Sequence, residues 1–152
     1  MTSAHNSKSG KLRLVAVETT KRRRAEGVRV LDAINGMIPR TGDVDGRAGG
    51  IVGVLELAAR AGVSGKAAAR ALAHWRNWRV LWLWWKGKRY WEVRFERSVL
   101  DDLLSTPPSG IGAFLLAHKR RREAEALLLL TRVCTVVRKE THGGPYQEVN
   151  PS

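Results

Sequence analysis

The sequence predicts a mainly α-helical fold with a small β-hairpin and a helical extension toward the C-terminal end. Three observations predict it. Ala25, Val28, Leu31, Ile34 and Ile38 recur at three- and four-residue spacing, which is the period of one helical face. Two further helical segments flank a tight turn at Gly62-Val63-Ser64. Two aromatic and β-branched runs, residues 80–85 and 90–95, are joined by Lys86-Gly87-Lys88-Arg89, a short glycine-containing turn of the kind that closes a hairpin. A chain of 152 residues, 43% hydrophobic, is the size of one domain with tails or of one domain with a small appended subdomain.

Taken in order, residues 1–10 are polar and expected to be disordered. Residues 11–17 (KLRLVAV) read as a short strand. Thr19 or Thr20 then caps a helix that runs to about Ile38, where Pro39 stops it. Lys21, Arg22, Arg23 and Arg24 crowd the first turn of that helix, the end at which the helix dipole disfavours positive charge. They read either as a solvated start or as a basic arm on phosphate. Residues 41–53 (TGDVDGRAGGIVG) form a loop, with a one-bridge strand at residues 51–53. A helix follows from about Val54 to Ala61, and Gly62 ends it. Ser64 caps the next helix, to about Trp78 or Arg79. The hairpin comes next, then a helix over residues 98–104, broken by Pro107-Pro108. A longer helix starts near Ser109 and runs into Leu127-Leu128-Leu129-Leu130. Residues 132–139 fit either a strand or a helix continuation, and residues 143–152 are expected to be disordered. The domain division is therefore a disordered start (1–10), the central domain (11–97), a helical extension (98–142) and a disordered tail (143–152).

Charge sharpens the functional reading. Lys and Arg number 27 against 14 Asp and Glu, a net +13, and a soluble chain this basic usually meets a polyanion. Nucleic acid leads, and an anionic membrane surface comes second. Residues 1–40 carry +6, residues 41–64 carry −1, residues 65–97 carry +7 and residues 98–152 carry +1. Two basic blocks thus flank a near-neutral stretch, whereas a surface built only for solubility mixes its signs.

The segment LELAARAGVSGKAAARAL, residues 55–72, holds the main constellation. Gly62 suits a backbone with positive φ. Ala58 is small where two helices cross. Leu57, Ala61, Val63, Ala68 and Leu72 share one core side. This segment resembles the helix-turn-helix of bacterial and phage regulators, in which a small residue precedes a turn glycine by four positions, here Ala58 and Gly62. The hairpin with its basic turn extends the resemblance to the winged form, over roughly residues 21–97. Ala67-Ala68-Ala69 is blander than the family pattern, and the strands hold more tryptophan.

The resemblance implies a winged helix-turn-helix that binds double-stranded DNA, most simply as a sequence-specific transcriptional regulator, with its second helix in the major groove. With Leu72 and Trp75 inward, Lys66, Ala69, Arg70, Ala73 and Asn77 point away from the core. Lys66 and Arg70 are one turn apart, and Arg70 has the chemistry to grip a guanine edge. Ser64, Lys66, Arg70, His74 and Asn77 are the helix candidates. Lys86, Lys88 and Arg89 at the wing suit backbone or minor-groove contact, and Arg22, Arg23 and Arg24 are a further phosphate-binding set. Two other uses of such a domain stay open: a replication, partition or packaging factor that clamps DNA, and an RNA-binding or protein-docking module.

Six tryptophans lie between Trp75 and Trp91. Trp75 and Trp78 suit core packing. Strand alternation puts Trp91, Val93 and Phe95 on one face, with Tyr90, Glu92 and Arg94 on the other. Trp82, Trp84 and Trp85 cannot all point the same way, so at least one stays exposed, for a base or for a partner chain. The apolar groups after Phe95 exceed what a small core needs, so this segment either folds back against the helix at residues 21–38 or, the favoured reading, forms a homodimer.

Other motifs carry little. GRAGGIVG at residues 46–53 lacks nucleotide-loop spacing, and the stretch before Lys66 has Arg60 where a P-loop needs glycine. Asp43-x-Asp45-Gly46 is a fragment of a calcium loop. The four histidines show no metal spacing, and Cys134 is the lone cysteine. No catalytic grouping stands out, so no enzyme activity, cofactor or metal is expected. The start has no apolar signal segment and the leucine run is too short to span a bilayer, so a cytoplasmic protein without a membrane partner is expected.

Overall fold

The computed structural model describes the backbone of residues 2–143 and the side chains of residues 19–134. Among them are five α-helices and one three-stranded antiparallel sheet. Helix α1 spans Thr2–Met37, β1 Arg47–Gly53, α2 Val54–Ala61, α3 Gly65–Asn77, β2 Trp82–Gly87, β3 Tyr90–Glu96, α4 Arg97–Ser105 and α5 Ile111–Gly143. Two short 3-10 turns, Arg40–Gly42 and Pro108–Gly110, precede β1 and α5. By its contacts the chain divides into two units, Met1–Ile111 and Gly112–Ser152.

The strand expected over residues 11–17 is helix instead, and the helix expected to start at Thr19 or Thr20 begins at Thr2, taking in residues 2–10 as well. No glycine or proline interrupts residues 11–26, so nothing in the chain stops the helical ladder there. The buried side of α1 also differs from the expected one. Val30, Leu31, Ile34 and, just beyond the helix, Ile38 are buried, with Gly27 beside them, while Ala25 is exposed and Val28 only half-buried. Trp75 of α3 explains the rotation. A Cβ on Gly27 would stand 3.4 Å from the Trp75 ring, and the indole Nε1–H donates to the Gly27 carbonyl at 2.9 Å. Glycine lets the largest core side chain lie against the α1 backbone.

The expected loop over residues 41–53 contains a seven-residue strand. β1 pairs antiparallel with β3 along its length, from Arg47 opposite Glu96 to Gly53 opposite Tyr90. β2 pairs with the other edge of β3, with a bulge between Trp85 and Gly87, giving the order β1-β3-β2. The hairpin is therefore two-thirds of a sheet. Alternation divides its faces. Ala48, Val52, Val93 and Phe95 are buried on the inner face. Ile51, Trp82, Trp84, Tyr90, Glu92 and Arg94 fall on the outer face.

In the first unit α1 packs against α2, α3 and α4. α4 buries Val99, Leu100 and Leu103 and lies within this unit, so the boundary expected at Arg97 moves to Ile111. In α5, residues 132–139 continue the helix, which resolves their ambiguity. Leu115 and His118 are buried, whereas Leu127–Leu130 are all exposed. No helix among the described residues is long and apolar enough to cross a membrane. Of the tail expected over residues 143–152, Gly143 ends α5 and residues 144–152 lie outside the described residues.

Candidate nucleic-acid interface

The turn between α2 and α3 forms by local chemistry. Gly62 caps α2 in the left-handed region at φ 67°, where a Cβ is disfavoured. Its N–H donates to the Ala59 carbonyl at 3.3 Å and the Val63 N–H to that of Ala58 at 3.0 Å, so the last turn of α2 is satisfied. Ser64 is the N-cap of α3, and its Oγ accepts from the Ala67 N–H at 3.1 Å. That bond fixes where α3 starts and which side it presents. Ala67, Ala68, Ala71, Leu72 and Trp75 are buried, while Lys66, Ala69, Arg70, His74 and Asn77 are exposed and Ala73 is half-buried. The outward positions read from the sequence match this side of α3. Alanine at 69 and 73 leaves room beside Lys66 and Arg70 for close approach.

The basic turn of α1 stands beside that side. Arg23, Arg24, Arg70 and His74 line one cleft of about 300 Å³ with Thr20, Glu26, Gly27, Ala67 and Ala71. Two candidate sets some fifty residues apart in sequence therefore meet. Glu26 is the acidic member, unremarked in the sequence reading, although it follows the Lys21–Arg24 run by two positions. It lies 3.6 Å from the Arg70 guanidinium. Arg70 is half-exposed, so this pair is weak and readily exchanged for another anion. Desolvation, with the nearby Arg24 charge, pushes the His74 ring below the usual histidine range. At neutral pH His74 is an uncharged donor and acceptor, set edge-on to Trp75 and Trp78.

Arg22, Lys66 and Asn77 are exposed outside the cleft lining. Lys86, Lys88 and Arg89 are exposed on the hairpin. Gly87 and Arg89 both take positive φ, 136° and 67°, and the Arg89 carbonyl accepts from the Val54 N–H at 2.8 Å. The turn is thereby tied to the first residue of α2. Lys86 is engaged on the sheet, 3.4 Å from Glu92, which leaves Lys88 and Arg89 as the outermost cations of the turn. Arg94 is a further cation that the sequence reading placed on the outer face without assigning it a role; its guanidinium lies 5.1 Å over the Trp84 ring.

No group of three or more His, Cys, Asp or Glu that could hold a metal occurs among the described residues. No protein-family model, curated protein or solved structure matches the chain.

Proposed function

We propose that the chain is a winged helix-turn-helix protein that binds double-stranded DNA and acts as a sequence-specific transcriptional regulator. The observation that carries this reading is the outward side of α3, where Arg70 shares one cleft with Arg23 and Arg24 of α1 and Lys66 stands exposed one turn before it. The element order α1-β1-α2-α3-β2-β3 and the strand order β1-β3-β2 support the winged form. In this reading α3 enters the major groove and the small Ala69 and Ala73 allow its backbone close to the base edges. Arg70 leaves Glu26 and donates two hydrogen bonds to a guanine. Arg23 and Arg24 hold the flanking phosphates, and Lys88 and Arg89 meet the backbone or minor groove. Two copies, joined through the exposed leucines of α5, present two such heads to a two-fold site. The role is binding, without catalysis.

The test is selection of bound duplexes from a random pool, followed by titration of the preferred site. Arg70→Ala is expected to weaken that site by about 1–3 kcal/mol and to relax its preference at one base pair. The combined Lys86, Lys88 and Arg89 to Ala change is expected to weaken all sequences evenly. A pool that yields no motif overturns the regulator reading and favours a DNA clamp. An unchanged preference in Arg70→Ala reassigns the reader.

A further inference from the structure

The outer face of the sheet is aromatic, open and bordered by cations. Trp82, Trp84, Tyr90 and Ile51 lie on it with 38%, 44%, 56% and 65% of their surface exposed. Glycine at 49 and 53 removes side chains from half of the outer side of β1. The neighbouring β3 groups fill the gaps: a Cβ on Gly49 would stand 3.3 Å from the Arg94 stem, and one on Gly53 3.4 Å from the Tyr90 ring. Ile51 is then the one bulky apolar group that β1 contributes. Arg47, Lys86 and Arg94 lie on or beside this face, and Lys88 and Arg89 follow in the turn. The carboxylates on this face are Glu92 and Glu96, and Glu56 of α2, paired with Arg60, stands at its Gly53 end. Glu92 is answered twice, by Arg94 at 3.1 Å and Lys86 at 3.4 Å.

We propose that this face holds single-stranded DNA, with unpaired bases stacked on Trp82, Trp84 and Tyr90 and the phosphates on Arg47, Lys86 and Arg94. Flat rings set among net positive charge complement a polyanion that carries flat apolar groups. A duplex cannot use the rings, because its base faces are already stacked on one another, whereas every base of a single strand offers one. Arg94 over Trp84 does not block the face. A guanidinium plane stacks on an aromatic ring and on a base alike, so Arg94 either extends the stack or turns to a phosphate. The choice of DNA over RNA rests on the duplex reading above.

The experiment is anisotropy of a labelled 12-nucleotide mixed-sequence DNA strand at fixed salt. The same sequence is titrated in parallel as a duplex and as RNA. Trp82→Ala/Trp84→Ala, judged folded by circular dichroism, is expected to bind the single strand at least tenfold more weakly and the duplex unchanged. Trp84→Phe keeps a ring and is expected to keep most of the single-strand affinity. Arg70→Ala is expected to show the reverse pattern, losing duplex and keeping single strand. Single-strand affinity unchanged in the double variant overturns the proposal, as does tenfold tighter binding of the RNA. Self-association of the wild type that the double variant abolishes also overturns it, because a second copy then owns the face. Duplex binding without single-strand binding overturns this inference and leaves the duplex reading standing.

Discussion

Arg97 is a cation set in the core, 5% exposed, with every guanidinium N–H used. Nε and one terminal nitrogen donate to the Asp43 carboxylate, both at 2.9 Å. The others reach the Ile38 carbonyl at 2.9 Å and the carbonyl and side-chain oxygen of Asn35 at 3.0 and 2.9 Å. The end of α1, the segment before β1 and the start of α4 are thus joined at one side chain. Arg97→Ala strands these acceptors and is expected to lower stability by about 3–5 kcal/mol in urea denaturation. Arg97→Lys, with three donors and no fork, is expected to recover only part of it. The same contact sets a pH dependence. The hydrogen bond from Arg97, opposed by desolvation, holds the Asp43 carboxyl below its ordinary range. A depressed carboxylate contributes stability that is fully present above its unfolded pKa, about 3.9, and lost as pH falls through the folded value. Thermal melts from pH 6 to 2 are therefore expected to fall less steeply in Asp43→Asn than in the wild type. None of this was legible in the sequence, where Arg97 stood only as the last residue of the central domain. Its partners lie 54 and 62 positions away, and arginine carries a strong prior for the surface.

At the scale of elements, what was legible is what local bonds decide. The α2–α3 turn was readable because its parts act within three or four residues: Gly62 in the left-handed region and Ser64 on the Ala67 N–H. Gly62→Ala and Ser64→Ala are each expected to lower stability by about 1 kcal/mol. Urea midpoints check both, and a gain in stability from Gly62→Ala would contradict the left-handed cap. The hairpin was readable from its aromatic runs and its turn. β1 was mostly missed because Gly49, Gly50 and Gly53 hide strand propensity; it is a strand because the free edge of β3 supplies its hydrogen bonds. The inward side of α1 was misread for a related reason. Hydrophobic periodicity counts side chains, and it gives no weight to Gly27, whose missing side chain admits Trp75. In the candidate interface the helix and wing cations were legible one by one. The meeting of Arg70 with Arg23 and Arg24, and its Glu26 contact, depend on how α1 crosses α3, which no local pattern encodes.

At the scale of the whole molecule, two bulk properties carry the function proposed: charge and uncovered apolar surface. If Lys66, Lys88, Arg89, Arg23 and Arg24 each neutralise a phosphate, log affinity for duplex DNA falls with log salt with a slope of about 4.5, at about 0.9 per contact. Titrations between low and physiological salt check it, and a flat response would remove the electrostatic basis of the reading. The apolar surface concerns α5. Leu127–Leu130 are 55–66% exposed and Val133 is 52% exposed. Four consecutive residues on a helix turn through most of its circumference, so no single shallow contact covers them. The segment from 98 to 152 carries only +1, so like-charge repulsion does little to keep two copies of it apart. In the proposed dimer, association of two chains through α5 removes this surface from water. Leu127→Gln/Leu130→Gln places two amides on one side of the helix, far in sequence from the core of the first unit. In sedimentation the wild type is expected to run as a dimer and this variant as a monomer with an unchanged circular dichroism spectrum. The variant is expected to keep its affinity for one half-site and to lose the added affinity for a two-fold site, because the second head is no longer tethered. A wild-type chain that stays monomeric at micromolar concentration ends the assembly reading, and the leucines then need another partner.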